Sequence, residues 1–376
     1  MKVVLAFDSW KGSLTAAQAC AAATIGLRRL SPVPDIIPCP LSDGGEGFLD
    51  AIAIATAGVT RSYPVTGPMG NPVTASILFL QDGEIAIIES ASVCGLHLVP
   101  PRSRNPGRIR TTGLGELVNH AVAEGAREII LGLGGSASND AGIGFLSALG
   151  WRFSDAEGQP VDPCGDSLVR VSTITAPSQP FPAALTAACD VTNPLYGPTG
   201  AAFVYAPQKG ASPADVLSLD AGLHQFADRC ATALGEDVSG RAGAGAAGGL
   251  GFALLAFLKA RFRPGAELAI EQSGLRKHLD QADLCLTGEG QTDSQTASGK
   301  LPAAVGAICR ETGIPCVCLS GSLGAGARAV YESGITSVLS VIQTPGSLED
   351  AILASTRTLA DAAEAIARLV AQAGTR

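Results

Sequence analysis

Residues able to bind phosphate or a hard cation gather in a few short stretches of this chain. "FDSWKGSL" at 7–14 carries Asp8, Ser9 and Lys11, and "LSDGGEG" at 41–47 carries Ser42, Asp43, Gly44, Gly45 and Glu46. "GGSASNDAG" at 134–142 supplies Ser136, Ser138, Asn139 and Asp140. "CDVTNPLYGPTGAAFVYAPQKG" at 189–210 supplies Asp190, Asn193 and Lys209, and "TGEGQTDSQTASGK" at 287–300 supplies Glu289, Asp293 and Lys300. Carboxylates, hydroxyls, an amide, free backbone N–H groups and lysines suit magnesium and phosphate. They suit a transition metal or a Ser-His triad less well.

Each stretch also has a plainer reading. Strand–helix turns are commonly polar and rich in glycine, Asn139 or Asp140 would cap an ordinary helix, and Asn193-Pro194 is a turn former. Three acidic turns expected at one sheet edge, after 2–8, 35–45 and 283–290, shift the balance toward a site. The 287–300 stretch ends in Gly-Lys as a P-loop does, but Leu301 stands where the hydroxyl belongs and Gly288 and Gly290 lie too far upstream. "GAGAAG" at 243–248, continuing into Gly249, matches G-x-G-x-x-G. The preceding "EDVSGRA" is no strand, so a dinucleotide fingerprint fails on context. Helix packing or backbone approach to a phosphate by Gly248 and Gly249 stays open. No G-x-S-x-G elbow, HExxH or protein-kinase HRD/DFG set occurs.

These residues need a scaffold, and 376 residues are enough for two domains with packed cores. Apolar residues make up 46% and charged residues 16%, leaving little scope for disorder. A net charge of −8 disfavours nucleic acid and anionic membranes as partners, though not a small anionic substrate. "MKVVLAFDSW" is cut short by Asp8 and "LGFALLAFL" (250–258) is too short to span a bilayer, so a cytoplasmic protein is expected. The ten cysteines show no CxxC or zinc spacing and read mostly as small buried thiols. His97, His120, His224 and His278 are scattered.

Apolar runs at 2–8, 35–45, 283–290, 315–322 and 335–342 read as strands. Helices are expected at 15–30, near 301–311 and 324–333, and at 348–373. This alternation predicts a parallel sheet with helices on both faces, split between the two ends of the chain. Between them, 66–92 reads as antiparallel strands turning at Gly70-Asn71 and Asp82-Gly83. Helices near 111–125, 141–150, 213–234 and 245–261 follow, with strands at 127–135, 185–191 and 200–207 and irregular chain over 155–182. The organisation expected is a discontinuous α/β domain, 1–65 and 270–376, with a second α/β domain, 66–269, inserted into it.

In kind and order, seven stretches resemble the motifs of bacterial glycerate kinases of type I. They are the five quoted above, with "CDVTNPLYGPTGAA" and "APQKGA" (206–211) matching separately, and "GAAGGLG" (245–251). Phe7, Trp10, Ser138 and Ala141 stand where Pro, Phe, Thr and Gly are common, and none of these changes removes a charge. The resemblance implies a flavodoxin-like parallel-sheet domain carrying a mixed α/β insertion. It implies transfer of phosphate from ATP, with Mg2+, to the 2-hydroxyl of D-glycerate, giving 2-phosphoglycerate in an interdomain cleft. Asp190 is then the first choice of base, with Asp43 second or holding magnesium. Lys11 would meet a phosphate or the glycerate carboxylate, and Lys300 is a further cation. Ser136 and Asn139 would meet an anionic ligand, and Glu289 and Asp293 would hold magnesium directly or through water. Asp8, Ser9, Gly44, Gly45, Ser138, Asp140, Asn193, Lys209, Gly248 and Gly249 complete the expected substrate- and nucleotide-binding set. The alternatives are a kinase for another small hydroxy acid, an NAD-dependent oxidoreductase and a non-catalytic binding protein. Assembly into a homo-oligomer is left open.

Overall fold

The computed structural model describes residues 1–10, 12–45, 47–297 and 300–373. Its strands, in chain order, are β1 Lys2–Phe7, β2 Asp35–Pro38, β3 Val59–Thr66, β4 Pro72–Leu80, β5 Ile85–Glu89, β6 Glu128–Gly132, β7 Arg152–Ser154, β8 Thr173–Thr175, β9 Ala184–Ala188, β10 Arg261–Arg263, β11 Leu284–Gly288, β12 Gln291–Thr292, β13 Cys316–Ser320, β14 Ser322–Leu323 and β15 Ser337–Ser340. The chain forms two compact units. One comprises Met1–Asp43, Asp50–Ala57 and Ala266–Arg376, the other Gly44–Leu49 and Gly58–Gly265.

The first unit holds a five-stranded, all-parallel sheet in the order β15-β13-β11-β1-β2. Counted along this sheet's own chain order, that is 5-4-3-1-2, so the winding reverses between β1 and β11. Ligands in open parallel sheets bind beyond the carboxyl ends of strands at such a reversal. From Val3 to Phe7, β1 is wholly buried, because helices cover both faces and no polar alternation is needed. Each large apolar side chain buried there contributes about 1.5–3 kcal/mol. The helix Ala16–Leu27 starts at a reciprocal cap: Gln18 N donates to Thr15 Oγ1 at 3.2 Å, and Thr15 N to Gln18 Oε1 at 2.9 Å. Gly26 lets the long helix Leu348–Ala373 cross at contact distance, since a Cβ here would lie 1.9 Å from Ala360 O.

The second unit holds a six-stranded mixed sheet in the order β10-β9-β6-β5-β4-β3. β5, β6, β9 and β10 run parallel; β4 joins antiparallel to β5, and β3 antiparallel to β4 closes that edge. Phe145, Phe226 and Phe252 anchor its core. The helix Pro213–Leu234 begins at a Ser212/Asp215 capping box and ends at a left-handed Gly235.

Several local expectations give way. Residues 200–207 are not a strand but the short helix Ala201–Tyr205 followed by a turn. The run buries Ala202 and Ala206, four residues apart, and exposes Phe203 and Val204, which is helical spacing and not strand alternation. The expected 245–261 helix ends at Leu258 and is followed by β10; it opens with left-handed Ala247, Gly248 and Gly249. The 324–333 segment is a 3-10 turn, Ala327–Ser333, after the short parallel pair β12–β14. The Pro/Gly-rich 155–182 stretch contains β8, which pairs antiparallel with β7. No helix of the described residues is long and apolar enough to cross a membrane.

Candidate functional site

In the first unit, Asp8 and Glu289 follow the two strands that flank the winding reversal. Asp8 follows β1, where its amide donates to Gly288 O at 3.0 Å and its Oδ1 accepts from Ser9 N at 2.6 Å. Glu289 follows β11 and is only 7% exposed. Its Oε1 accepts from Thr296 Oγ1 at 2.6 Å and Thr292 Oγ1 at 3.2 Å, and Thr292 Oγ1 lies 2.6 Å from Ser320 Oγ. Burial pushes the Glu289 carboxyl up, opposed by the Thr296 hydrogen bond and the nearby Lys300 charge. Asp293 turns the loop, its Oδ1 accepting from Gln295 N at 2.8 Å. Lys300 is exposed at the start of the helix Leu301–Thr312. Asp43 is exposed after β2, next to buried Ser42. Lys11 and Glu46 lie outside the described residues.

Hard oxygen donors of this kind fit magnesium, and Glu289 Oε2 has no partner among the described residues. No three of the described carboxylates converge closely enough to cage an ion. Magnesium would therefore rest on one or two carboxylates plus phosphate and water, its usual mode. The acidic and thiol groups that do converge are Cys285, Cys309 and Cys316, with sulfurs within 4.8 Å of one another in the core. Sequence spacing hides this cluster because Cys285 and Cys316 meet across the β11–β13 register.

The second unit concentrates more of the expected residues. The turn after β6 carries Ser136, Ser138, Asn139 and Asp140, all buried. Lys209, only 4% exposed, reaches this turn: Nζ donates to Ser136 Oγ at 3.0 Å and to Ser138 O at 2.7 Å. Burial pulls the Lys209 ammonium down to about 8, opposed by the charges of Cys94 and Asp140. Asp140 is fully buried. Its Oδ2 accepts from Thr111 N and Thr111 Oγ1 at 3.1 and 2.7 Å, and its Oδ1 from Gly142 N at 3.0 Å. Burial raises its carboxyl, the Thr111 hydroxyl opposing. These bonds pin the loop ending at Thr111 to the start of the helix Ile143–Ala148. Ser138 Oγ and both amide atoms of the fully buried Asn139 have no hydrogen-bond partner among the described residues. Burying an amide unpaired costs about 1–3 kcal/mol, which makes these atoms the strongest indication of a ligand.

Gly248 and Gly249 close behind the turn. A Cβ on Gly248 would lie 2.0 Å from Ser138 O, so the G-x-G-x-x-G match serves close backbone packing here. Gly44 belongs to this unit and its carbonyl accepts from Gly134 N at 3.3 Å, with Gly45 alongside. Asp190 is exposed beyond β9, its Oδ1 accepting from Gly265 N at 3.0 Å. Asn193 sits further along, bonded to Tyr205 Oη at 2.5 Å and to Thr199 O at 2.8 Å. One group escaped the sequence reading. Arg102, Arg104, Arg108 and Arg110 line a single hollow of about 570 Å³. The signal for it was four arginines within the nine residues 102–110 of an acidic chain.

A parallel sheet in one unit and a mixed sheet in the other, with acidic, glycine-rich turns beyond their strand ends, define an α/β protein. The chain belongs to the glycerate kinase family, whose model matches residues 3–371. It is 43% identical over 354 residues to the glycerate kinase of Bacillus cereus, covering 93% of each chain. It is 39% identical over 374 residues to the glycerate 2-kinase of Escherichia coli, covering 99% of this chain and 98% of that one. A crystal structure from Salmonella typhimurium LT2 matches with a TM-score of 0.87 at 40% identity, over 100% of both chains.

Proposed function

We propose that this protein transfers the γ-phosphoryl group of ATP, with Mg2+, to the 2-hydroxyl of D-glycerate, giving ADP and 2-phosphoglycerate. The family membership and the Escherichia coli relative named glycerate 2-kinase support the reaction. The observation that carries ligand binding is the buried, unpartnered Asn139 amide and Ser138 hydroxyl, on a turn held by Lys209. We read the first unit as a flavodoxin-like domain, from its strand order, and the second as a domain inserted into it.

Phosphoryl transfer depends on positioning and charge neutralisation. Asp190 is the proposed base: as the 2-hydroxyl oxygen bonds to the γ-phosphorus, its proton passes to the Asp190 carboxylate and the bond to the ADP oxygen breaks. Asp43 is the second choice for that role. Ser136, Ser138 and Asn139 bind an anionic reactant, with Lys209 fixing their turn. Asp140 acts through Thr111, because protein donors occupy both of its oxygens. Magnesium, when bound, neutralises phosphate charge, and Glu289 and Asp293 are the carboxylates proposed to hold it. Asp8, Ser9, Asn193 and Lys300 are proposed reactant contacts.

The test is Asp190→Asn. Turnover should fall about 10²–10⁴-fold, the usual worth of a general base, while ATP still binds. Near-normal turnover would remove Asp190 from the role.

A further inference from the structure

We propose that the arginine-lined hollow over residues 102–110 is the subsite that grips the anionic oxygen group of one reactant, a carboxylate or a phosphate. Resting on the kinase reading above, this inference gives that reading a recognition element. The hollow is bounded by Met69, Ser103, Asn105 and Ile109 besides the four arginines. Its volume of about 570 Å³ suits a small molecule. Guanidinium groups pair with carboxylate and phosphate through two parallel N–H donors, which gives direction as well as charge.

The arginines retain capacity for a ligand. Neither Arg102 nor Arg104 has a carboxylate partner among the described residues; Arg104 Nε reaches only Val99 O, at 3.4 Å. Arg108 pairs with Asp166 at 3.5 Å and Arg110 with Asp162 at 2.9 Å, with side chains 79% and 38% exposed. Such surface pairs are worth about 0–1 kcal/mol, so an anion of higher charge displaces them at little cost.

The backbone beneath the arginines is held in place. Asn139 N donates to Pro106 O at 3.0 Å, Arg110 N to Pro68 O at 3.1 Å, and Asp166 N to Gly107 O at 2.9 Å. A Cβ on Gly107 would lie 2.0 Å from Asp166 Oδ1, so the close approach needs glycine. At the loop's end, Thr111 is tied to buried Asp140. The arginine loop therefore rests directly on the turn that carries the unpartnered Asn139 side-chain amide. In a chain of net charge −8, four arginines gathered here make a local positive potential that attracts an anion.

The experiment uses the full chain and the double variant Arg102→Ala/Arg104→Ala, with Arg241→Ala as a control on the same unit. Calorimetry measures D-glycerate and Mg-ATP binding separately, without turnover. A tenfold or greater loss for one reactant, absent in the control, supports the subsite. Loss for D-glycerate assigns the carboxylate, and loss for Mg-ATP assigns the phosphates. Arg102→Lys/Arg104→Lys should recover part of that loss. Unchanged binding of both reactants, or equal loss of both, overturns the proposal. A wild-type protein that binds both reactants but does not turn over refutes the reaction while leaving the subsite to stand on its binding data.

Discussion

Replacing Lys209 with Met tests the buried lysine that organises the Ser136–Asn139 turn. Burial depresses the ammonium from its usual 10.5 to about 8. Below pH 8 both folded and unfolded chains carry the charge, and the folded chain bears the full cost of burying it. Between about 8 and 10.5 the folded chain releases its proton first, so the unfolded chain binds more protons and stability rises with pH. A shift of about 2.5 units corresponds to roughly 3 kcal/mol, of which about 2 kcal/mol should appear between pH 7 and pH 10. The loss of the bonds to Ser136 Oγ and Ser138 O adds a constant offset of about 1–3 kcal/mol, independent of pH. The assay is urea unfolding of wild type and Lys209→Met at several pH values, read as their difference so that other titrations cancel. The wild type should gain about 2 kcal/mol on the variant between pH 7 and pH 10. Parallel stability curves would refute a charged, desolvated Lys209.

Gly26→Ala should destabilise the first unit by about 1–3 kcal/mol or more, because the new methyl meets Ala360 backbone rather than a movable side chain; an unchanged urea midpoint would contradict the crossing of the two helices. Of the ten cysteines only Cys189 is not buried, so a maleimide should label it first in the native protein, with the others following on denaturation. Rapid native labelling of Cys285, Cys309 or Cys316 would show that their cluster opens to solvent.

The two sheets were legible where strands are buried on both faces. The runs behind β1, β11 and β13 are continuous and apolar, and nothing else in the chain competes for their place. Turns that follow such strands were equally visible, and so the positions of Asp8, Glu289 and the Ser136–Asp140 group after β1, β11 and β6 were legible. The features that escaped depend on partners distant in sequence. The 200–207 run is apolar enough for a strand, but it buries Ala202 and Ala206 on one helical face and leaves Phe203 and Val204 exposed. The run of arginines at 102–110 is visible locally, but the hollow they line depends on Asn139 and Asp140, distant in sequence, holding their loop. The left-handed Ala247–Gly249 opening packs against Ser138 and Ala141, in line with the helix-packing reading that the missing preceding strand left open for G-x-G-x-x-G.

The most direct measurement is phosphorus NMR of the purified protein incubated with ATP, Mg2+ and D-glycerate. The proposed reaction predicts ADP and a single phosphate ester, 2-phosphoglycerate, formed in equal amounts. Accumulation of 3-phosphoglycerate would contradict the assignment of the 2-hydroxyl. ATP left intact by a protein that binds both reactants would contradict the kinase reaction itself.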